Sequence, residues 1–229
     1  MPDPAVLQDD WNLELAEEET QYSLPAPPPD PELMLQQLYS SDPSERIQAA
    51  RAFCEIEDQR AVDRLLEFLV DDCPLLRVSA AYALGRNKSQ KAVPILIEQL
   101  QRDWNDYVRK GIVWALGTTG DRQALGVLLH TLQFDTMAVR LWTASALGHL
   151  GDPQAIALLS DRLLHDPVGA VRSNCAWALG KLLPLESPHS DRYRLGIQAL
   201  ILAKNDADLG VQADVRDTLN LLAIGEEDG

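Results

Sequence analysis

The stretch that decides the fold is VRKGIVWALGTTGDRQALGVLLHTLQ, Val108–Gln133. The chain repeats it as VRLWTASALGHLGDPQAIALLSDRLL, Val139–Leu164. A weaker copy, VQADVRDTLNLL, starts at Val211. Five clearer copies are marked by arginines at successive spacings of 31, 32, 31 and 32 residues: Arg46, Arg77, Arg109, Arg140 and Arg172. A fixed period of this length predicts a repeat array in which each unit is one supersecondary element.

The first half of each unit predicts an amphipathic helix. Val108, Ile112 and Leu116 recur at intervals of four residues, which places them on one face of a helix. A glycine follows at the same position of four units, and a glycine just past a helix end accepts the left-handed conformation without a Cβ clash. We therefore predict that the first helices stop at these glycines: Gly85, Gly117, Gly148 and Gly180.

The second half of each unit predicts another helix after a short turn. Asp121 is a good N-cap for that helix, and Pro153 suits its first position in the next unit. Ala124, Leu128 and Leu132 then recur at four-residue intervals. One helical hairpin of this size cannot bury both of its faces, but stacked copies bury a continuous core. The sequence predicts an all-α, right-handed α-solenoid of five to six hairpins over residues 32–229, with residues 1–31 as a separate acidic, proline-rich arm.

Composition limits the kind of partner. The chain has 229 residues and a formal net charge of −15. Residues 1–45 carry 11 acidic residues and no Lys or Arg, whereas residues 46–229 carry 24 acidic and 20 basic residues. A protein that binds nucleic acid needs a basic stripe, and the composition shows none. The chain also lacks an apolar run long enough for membrane insertion and a basic, then apolar, signal peptide, so we expect a cytoplasmic protein.

The units resemble HEAT repeats, in the short variety found in the phycobilisome lyase-like family of cyanobacteria. Residues 108–132 and 139–163 follow the pattern VRxxAxxALGxxGDxxAxxxLxxxL closely, and residues 76–100 and 171–182 follow it well. The family includes subunits of bilin lyases, which attach or detach linear tetrapyrroles at cysteines of phycobiliproteins, and factors of phycobilisome assembly and degradation. The resemblance implies a phycobiliprotein or a photosynthetic assembly subunit as partner, and phycocyanobilin as ligand if the chain is a lyase subunit.

A catalytic centre is not expected. Deoxyhypusine hydroxylase, a further relative of this resemblance, binds two irons through His-Glu pairs, but the chain contains no His-Glu dipeptide. No phosphate-binding loop, nucleophile elbow or paired-carboxylate motif occurs either. We expect no catalytic residue, metal ligand or cofactor. The predicted function is therefore a non-catalytic protein-binding scaffold or assembly factor, and the alternative is a subunit of a bilin lyase or a chromophore-handling chaperone.

The five repeated arginines permit two interpretations. They could form a row that binds anions, or a structural ladder in which each arginine hydrogen-bonds an aspartate of the preceding turn. An aspartate lies a few residues upstream of every one of them: Asp42, Asp72, Asp106, Asp135 and Asp166. The sequence favours the ladder, because a charge-assisted pair would fix the register between units.

Aromatic residues outside the repeated positions are candidates for a protein-binding patch. Trp104 and Tyr107 fall in a polar turn between units, and Phe134 stands at another turn. Exposed Trp and Tyr often anchor interfaces, although local packing is the alternative for these residues. The predicted partner-binding set is Trp104, Tyr107, Phe134, Trp142, His130, Arg162 and, in the arm, Trp11. By contrast, Tyr82, Trp114 and Trp177 share one repeat position, which favours packing in the core or between units.

The N-terminal arm and the three cysteines are the remaining candidates for a functional role. Leu7, Trp11 and Leu15 are spaced four residues apart in an acidic segment that precedes PAPPPDP, a polyproline-prone linker. This segment is either a solvated tail or a motif that orders on a partner or on this chain's own surface. The three cysteines, Cys54, Cys73 and Cys175, are widely spaced, which favours unpaired thiols over disulfides or a zinc site.

Overall fold

A computed structural model describes residues 28–222, and all regular structure in that range is helical. The range contains twelve α-helices: α1 (Pro31–Gln37), α2 (Pro43–Ala52), α3 (Val62–Phe68), α4 (Pro74–Arg86), α5 (Val93–Arg102), α6 (Asp106–Thr119), α7 (Leu125–Phe134), α8 (Met137–Leu150), α9 (Ile156–His165), α10 (Gly169–Leu182), α11 (Asp191–Ala203) and α12 (Leu209–Leu221). None of these helices is both long enough and apolar enough to cross a bilayer.

The helices form a stack of six hairpins. Each odd-numbered helix packs on the even-numbered helix that follows it, and the even-numbered helices pack directly on one another from α2 to α12. This confirms the predicted α-solenoid. The short helix α1 begins the first hairpin, and the long connection between α10 and α11 separates the fifth hairpin from the sixth.

The stack has two edges where the chain turns. The turns that lead from an odd to an even helix lie along one edge, which we call the ladder edge. The turns that lead from an even to an odd helix lie along the opposite edge.

Trp11 belongs to residues 1–27, which with residues 223–229 lie outside the described residues, so the division into arm and solenoid stays a prediction.

The prediction that the repeated glycines end the first helices was wrong. Helix α6 continues past Gly117 to Thr119, and α8 continues past Gly148 to Leu150. The left-handed residues are Gly120, with φ 67°, and Gly151, with φ 71°. A Cβ on Gly117 would lie 2.7 Å from Cα of Ala146 in α8. The repeated glycines are therefore contact points that let neighbouring even helices approach closely.

The predicted aspartate caps are confirmed, with one added turn. The Asp121 carboxylate accepts a hydrogen bond from the backbone nitrogen of Gln123 at 2.9 Å, and Asp152 does the same for Gln154 at 3.0 Å. Each aspartate begins a single 3-10 turn, and the α-helix starts only after it. Pro153 is the first residue of its 3-10 turn, where the lack of an N–H costs nothing.

The core lies between the two layers of helices. Ala124, Leu128 and Leu132 are fully buried, as the four-residue spacing predicted. Each buried leucine contributes about 1.5–3 kcal/mol relative to an exposed one. The equivalent residues of the other units are buried in the same way: Ala61, Leu65, Leu69, Ala92, Leu96, Leu100, Ala155, Leu159 and Leu163.

One unit replaces the glycine turn with a buried asparagine. Asn87 follows α4 and is fully buried. Its Nδ2 contacts the carbonyl oxygens of Phe53, Ile56 and Ala83 at 2.9–3.0 Å, and its Oδ1 accepts from the backbone nitrogen of Asp58 at 2.7 Å. A single side chain thereby satisfies the backbone of the adjacent turn.

Candidate functional site

Four of the five repeated arginines form a bidentate ion pair with a carboxylate. Arg140 Nε and Nη2 donate to the two carboxylate oxygens of Asp166 at 2.8 and 2.9 Å, and the side chains are 14% and 0% exposed. Arg140 Nη1 also donates to the carbonyl oxygen of Asp135 at 3.0 Å. The same arrangement joins three further pairs: Arg77–Asp103, Arg109–Asp135 and Arg172–Asp206.

The predicted position of the carboxylate was wrong for most of these pairs. Asp166 lies in the ladder-edge turn after Arg140, not before it, and the turn before supplies only a backbone carbonyl. The guanidinium has donors on several sides, so one arginine can tie both turns together. Arg109 alone also binds an upstream aspartate, with Nη2 2.6 Å from Oδ1 of Asp106.

The first arginine lies outside this pattern. Arg46 Nη1 donates to the carbonyl oxygens of Ser40 and Ser41 at 2.9 and 3.0 Å. Within residues 28–222, Arg46 has no carboxylate at ion-pair distance.

The paired carboxylates also hold their own turns, since Asp166 Oδ1 accepts from the backbone nitrogen of Val168 at 3.0 Å. The geometry is that of internal bracing rather than of a row open to anions.

Large apolar side chains are exposed beside this ladder. Trp104, Tyr107, Phe134 and Met137 are 74%, 62%, 67% and 61% exposed and lie in the α5–α6 and α7–α8 turns or at the helix ends that flank them. We call these four residues the ladder-edge patch. The structure therefore brings three predicted partner-binding residues to one edge. The ladder edge carries five more exposed apolar residues: Tyr39, Val70, Leu75, Leu202 and Leu209.

A shallow cleft of about 330 Å³ adjoins the patch. It is lined by Arg109, His130, Thr131, Phe134, Asp135 and Thr136. The rings of His130 and Phe134 lie 4.9 Å apart, so the predicted His130 forms one wall of the cleft beside the patch.

The remaining predicted partner-binding residues lie elsewhere. Trp142 is half-buried in α8 against the core, with the Lys110 ammonium 4.6 Å from its ring centre. Arg162 Nη2 binds Oδ2 of Asp161 at 2.5 Å, and this hydrogen bond, more than any other cause, lowers the pKa of that carboxyl group. Trp11 lies outside the described residues.

The even-numbered helices form a second surface that the sequence did not single out. It consists of the residues one, five and nine positions after the repeated arginine in four helices. We call it the even-helix face, made of Val78, Tyr82, Arg86, Lys110, Trp114, Thr118, Leu141, Ser145, His149, Ser173, Trp177 and Lys181. All twelve residues are half-buried or exposed.

The rings of the even-helix face pack between neighbouring helices. Tyr82 and Trp114 have ring centres 5.7 Å apart, and His149 and Trp177 have ring centres 5.0 Å apart. A Cβ on Gly148 would lie 2.8 Å from the Trp177 ring. The predicted packing of the repeated aromatics between units is confirmed, but their rings also remain partly open to solvent.

The cysteines are free thiols, and two of them are poorly suited to react. Burial raises the pKa of Cys54 to about 12 and raises that of Cys175 strongly. The thiolate is the reactive form, so neither is an activated nucleophile. Cys73 is half-buried at the start of α4. Across residues 28–222, His, Cys, Asp and Glu side chains form no group of three or more that could hold a metal ion.

Comparison with known proteins identifies the repeat. The family described as HEAT repeats matches residues 31–111 and 93–180. The complex of CpcE and CpcF of phycocyanin lyase from Nostoc is 27% identical, with a TM-score of 0.63, over 89% of this chain and 80% of that one. A designed armadillo repeat protein has the same TM-score at 18% identity, over 83% of this chain and 98% of that one, which shows the fold alone.

Curated relatives match over a shorter part. Deoxyhypusine hydroxylase of Saccharomyces cerevisiae is 28% identical over 110 residues, which is 47% of this chain and 34% of that protein. The hydroxylase of Schizosaccharomyces pombe is 28% identical over 125 residues, 55% of this chain and 30% of that protein. The chain thus spans about a third of the length of the curated relatives it matches.

Proposed function

Because the chain belongs to the HEAT-repeat family, we propose that it is a non-catalytic, cytoplasmic scaffold that binds another protein through the ladder-edge patch. The observation that carries the proposal is the cluster of Trp104, Tyr107, Phe134 and Met137, each more than half exposed on one edge. An aromatic side chain buries about 150–250 Å² when it is covered, and such anchors dominate interface energetics.

The ladder holds the patch in place. Trp104 directly follows Asp103, and Phe134 directly precedes Asp135; both aspartates are bound by repeated arginines. The Arg77 guanidinium carbon lies 5.7 Å from the centre of the Trp104 ring. A surface whose backbone is fixed before binding loses less conformational entropy when a partner arrives. This arrangement favours a preformed docking surface over loose turns.

The family resemblance indicates the partner. We take it to be a phycobiliprotein or another subunit of the cyanobacterial photosynthetic apparatus, which the scaffold assembles or turns over. The similarity to the CpcE and CpcF complex supports this choice of partner class.

A paired affinity experiment tests the scaffold. Wild-type protein, a Trp104→Ala/Phe134→Ala variant and a Leu195→Ala/Leu221→Ala control are each used to capture proteins from a cyanobacterial lysate. The control removes exposed apolar side chains away from the patch. We expect a phycobilisome or photosystem protein bound by wild type and control and lost with the patch variant. A partner retained equally by all three proteins would refute the role of the patch.

A second candidate is a subunit of a bilin lyase. The observation in its favour is the 27% identity with the CpcE and CpcF complex over 89% of this chain. Since Cys54 and Cys175 are held as thiols, neither would attach a bilin covalently, and a bilin bound here would be transferred to a cysteine of the phycobiliprotein. Mixing the pure chain with phycocyanobilin, with and without an apo-phycobiliprotein, tests this candidate. An unchanged visible absorbance spectrum in both mixtures would eliminate it.

A further inference from the structure

The even-helix face is positively charged although the whole chain is strongly acidic. None of its twelve residues is acidic, and it carries Lys110, Lys181 and Arg86, the last of which pairs with Glu57. Lys88 follows α4 at the same edge as the end of α10, where Lys181 lies. Burial, and after it the charges of Lys181 and Lys88, lower the pKa of His149, so both ammonium charges act on this side chain.

The same face presents aromatic rings beside these charges. Trp114 and Trp177 are half-buried, and the Lys181 ammonium lies 5.5 Å from the centre of the Trp177 ring. The odd-numbered helices, by contrast, expose acidic residues such as Asp63 and Glu98, which pair with Lys91 and Arg102. A segment that combines carboxylates with apolar side chains would therefore complement the even-helix face better than the odd helices.

The chain contains a segment with this chemistry. Residues 1–27 carry seven acidic residues and no Lys or Arg. Leu7, Trp11 and Leu15 recur at four-residue intervals within it, which would place them on one side of a helix. The apolar side would meet the rings of the even-helix face, and the flanking carboxylates would meet its cations.

The segment is also attached where it can reach the face. Helix α1 ends at the ladder edge, so it begins at the opposite edge, where α4, α8 and α10 end. Trp11 is 17 residues from residue 28, a span of up to about 55 Å when extended. Neighbouring packed helices lie about 10 Å apart, so α10 is about 40 Å from α2. The chain is long enough to place Trp11 over either Trp114 or Trp177.

We propose that the acidic segment around Trp11 binds in cis along the even-helix face, with its apolar side chains on Trp114 and Trp177 and its carboxylates beside Lys88, Lys110 and Lys181. This surface is distinct from the ladder-edge patch, so the proposal does not depend on the proposed function.

Zero-length carbodiimide cross-linking of the full chain tests the proposal, because it joins only carboxylates and amines in direct contact. The chain has five lysines: Lys88, Lys91, Lys110, Lys181 and Lys204. Mass spectrometry should find Glu17, Glu18 or Glu19 joined to Lys110 or Lys181. Lys204 lies at the ladder edge between α11 and α12 and serves as the internal control. Cross-links to Lys204 in equal yield, or no arm cross-links at all, would overturn the proposal.

Two further measurements make the experiment decisive. An equimolar mixture of unlabelled and ¹⁵N-labelled chains should give cross-links within one isotope only; mixed-isotope pairs would show binding in trans and overturn the cis assignment. Trp11→Ala should lower the yield at Lys181 at least threefold, whereas Leu13→Ala, which lies off the four-residue spacing, should leave it within about 30% of wild type. Equal yields for the two variants would contradict the role of Trp11. Both residues lie outside helices α1–α12, and far-ultraviolet circular dichroism of each variant checks that the solenoid is retained.

Discussion

Replacing Gly117 with valine should destabilise the protein, and the same replacement at Gly126 should not. A Cβ on Gly117 would lie 2.7 Å from Cα and 2.8 Å from Cβ of Ala146. Carbon atoms in contact prefer about 3.5–4.0 Å, so α6 and α8 would have to separate by roughly 1 Å. Overpacking of this kind costs about 1–3 kcal/mol, and the two extra methyl groups of valine put the change near the upper end.

Gly126 provides a control in the same protein. It lies in α7, and an added Cβ would meet no atom within 4 Å. Valine is slightly more favourable than glycine in a helix, so Gly126→Val should change the free energy of unfolding by at most about 0.5 kcal/mol, in the stabilising direction. Urea denaturation followed by far-ultraviolet circular dichroism measures both variants. For a chain of this size, a loss of 2–3 kcal/mol also lowers Tm by about 4–12 °C.

Substitutions to asparagine distinguish the two roles that a glycine can have here, a close contact between helices and a left-handed helix end. Asparagine tolerates the left-handed conformation, so Gly120→Asn, at φ 67°, should cost less than about 1 kcal/mol. Gly117→Asn should instead cost more than 2 kcal/mol, since it adds a polar side chain against Ala146. If Gly117→Asn is tolerated as well as Gly120→Asn, or if Gly117→Val and Gly126→Val behave alike, the contact explanation of the repeated glycines is refuted.

Three further changes probe the bracing of the stack. Arg140→Ala should destabilise the protein by about 3–5 kcal/mol because it leaves the buried carboxylate of Asp166 unpaired. Arg102→Ala removes an exposed ion pair and should cost at most about 0.5 kcal/mol. Thermal unfolding compares the two variants. Asn87→Leu should cost about 3 kcal/mol or more in urea denaturation, because it orphans several buried backbone groups. The Arg172 hydrogen bond lowers the pKa of Asp206, so this pair stabilises the fold fully above the unfolded pKa of about 3.9. That stabilisation is lost as the pH falls through the lowered folded pKa, and acid titration of Asp206→Asn should lack this component.

Local features of the chain could be predicted because they depend on residues close together in sequence. The core series Ala124, Leu128, Leu132 follows from the helical period, and the Asp121 cap acts on a backbone nitrogen two residues away. Repetition strengthened both predictions, since each unit supplied an independent copy of the same pattern. The exposure of Trp104 and Phe134 could also be anticipated from the repeat. These aromatics stand outside the repeated positions, so the packing that the units share does not cover them.

Contacts between units were harder to predict, because the repeat period gives the spacing of units without the direction in which a side chain points. Arg140 has an aspartate five residues upstream and another 26 residues downstream, and sequence proximity favoured the wrong one. Asn87 was missed for the same reason, since its partner Asp58 lies 29 residues away in the neighbouring turn. The even-helix face likewise appears only when residues of four successive units are placed side by side.

The repeated glycine and the repeated aromatic act together in the packing between units, which explains why the glycine was misread as a helix end. The Trp114 ring occupies the space that a Cβ on Gly85 would fill, and the Trp177 ring lies in the same way over Gly148. The fourth unit has Ser145 at the aromatic position, and there the helices approach more closely, so that Ala146 touches Gly117. A large ring or a closer helix therefore fills the same gap. These two solutions leave rings half-exposed on α4, α6 and α10, which is where an apolar segment would find anchoring points on the even-helix face.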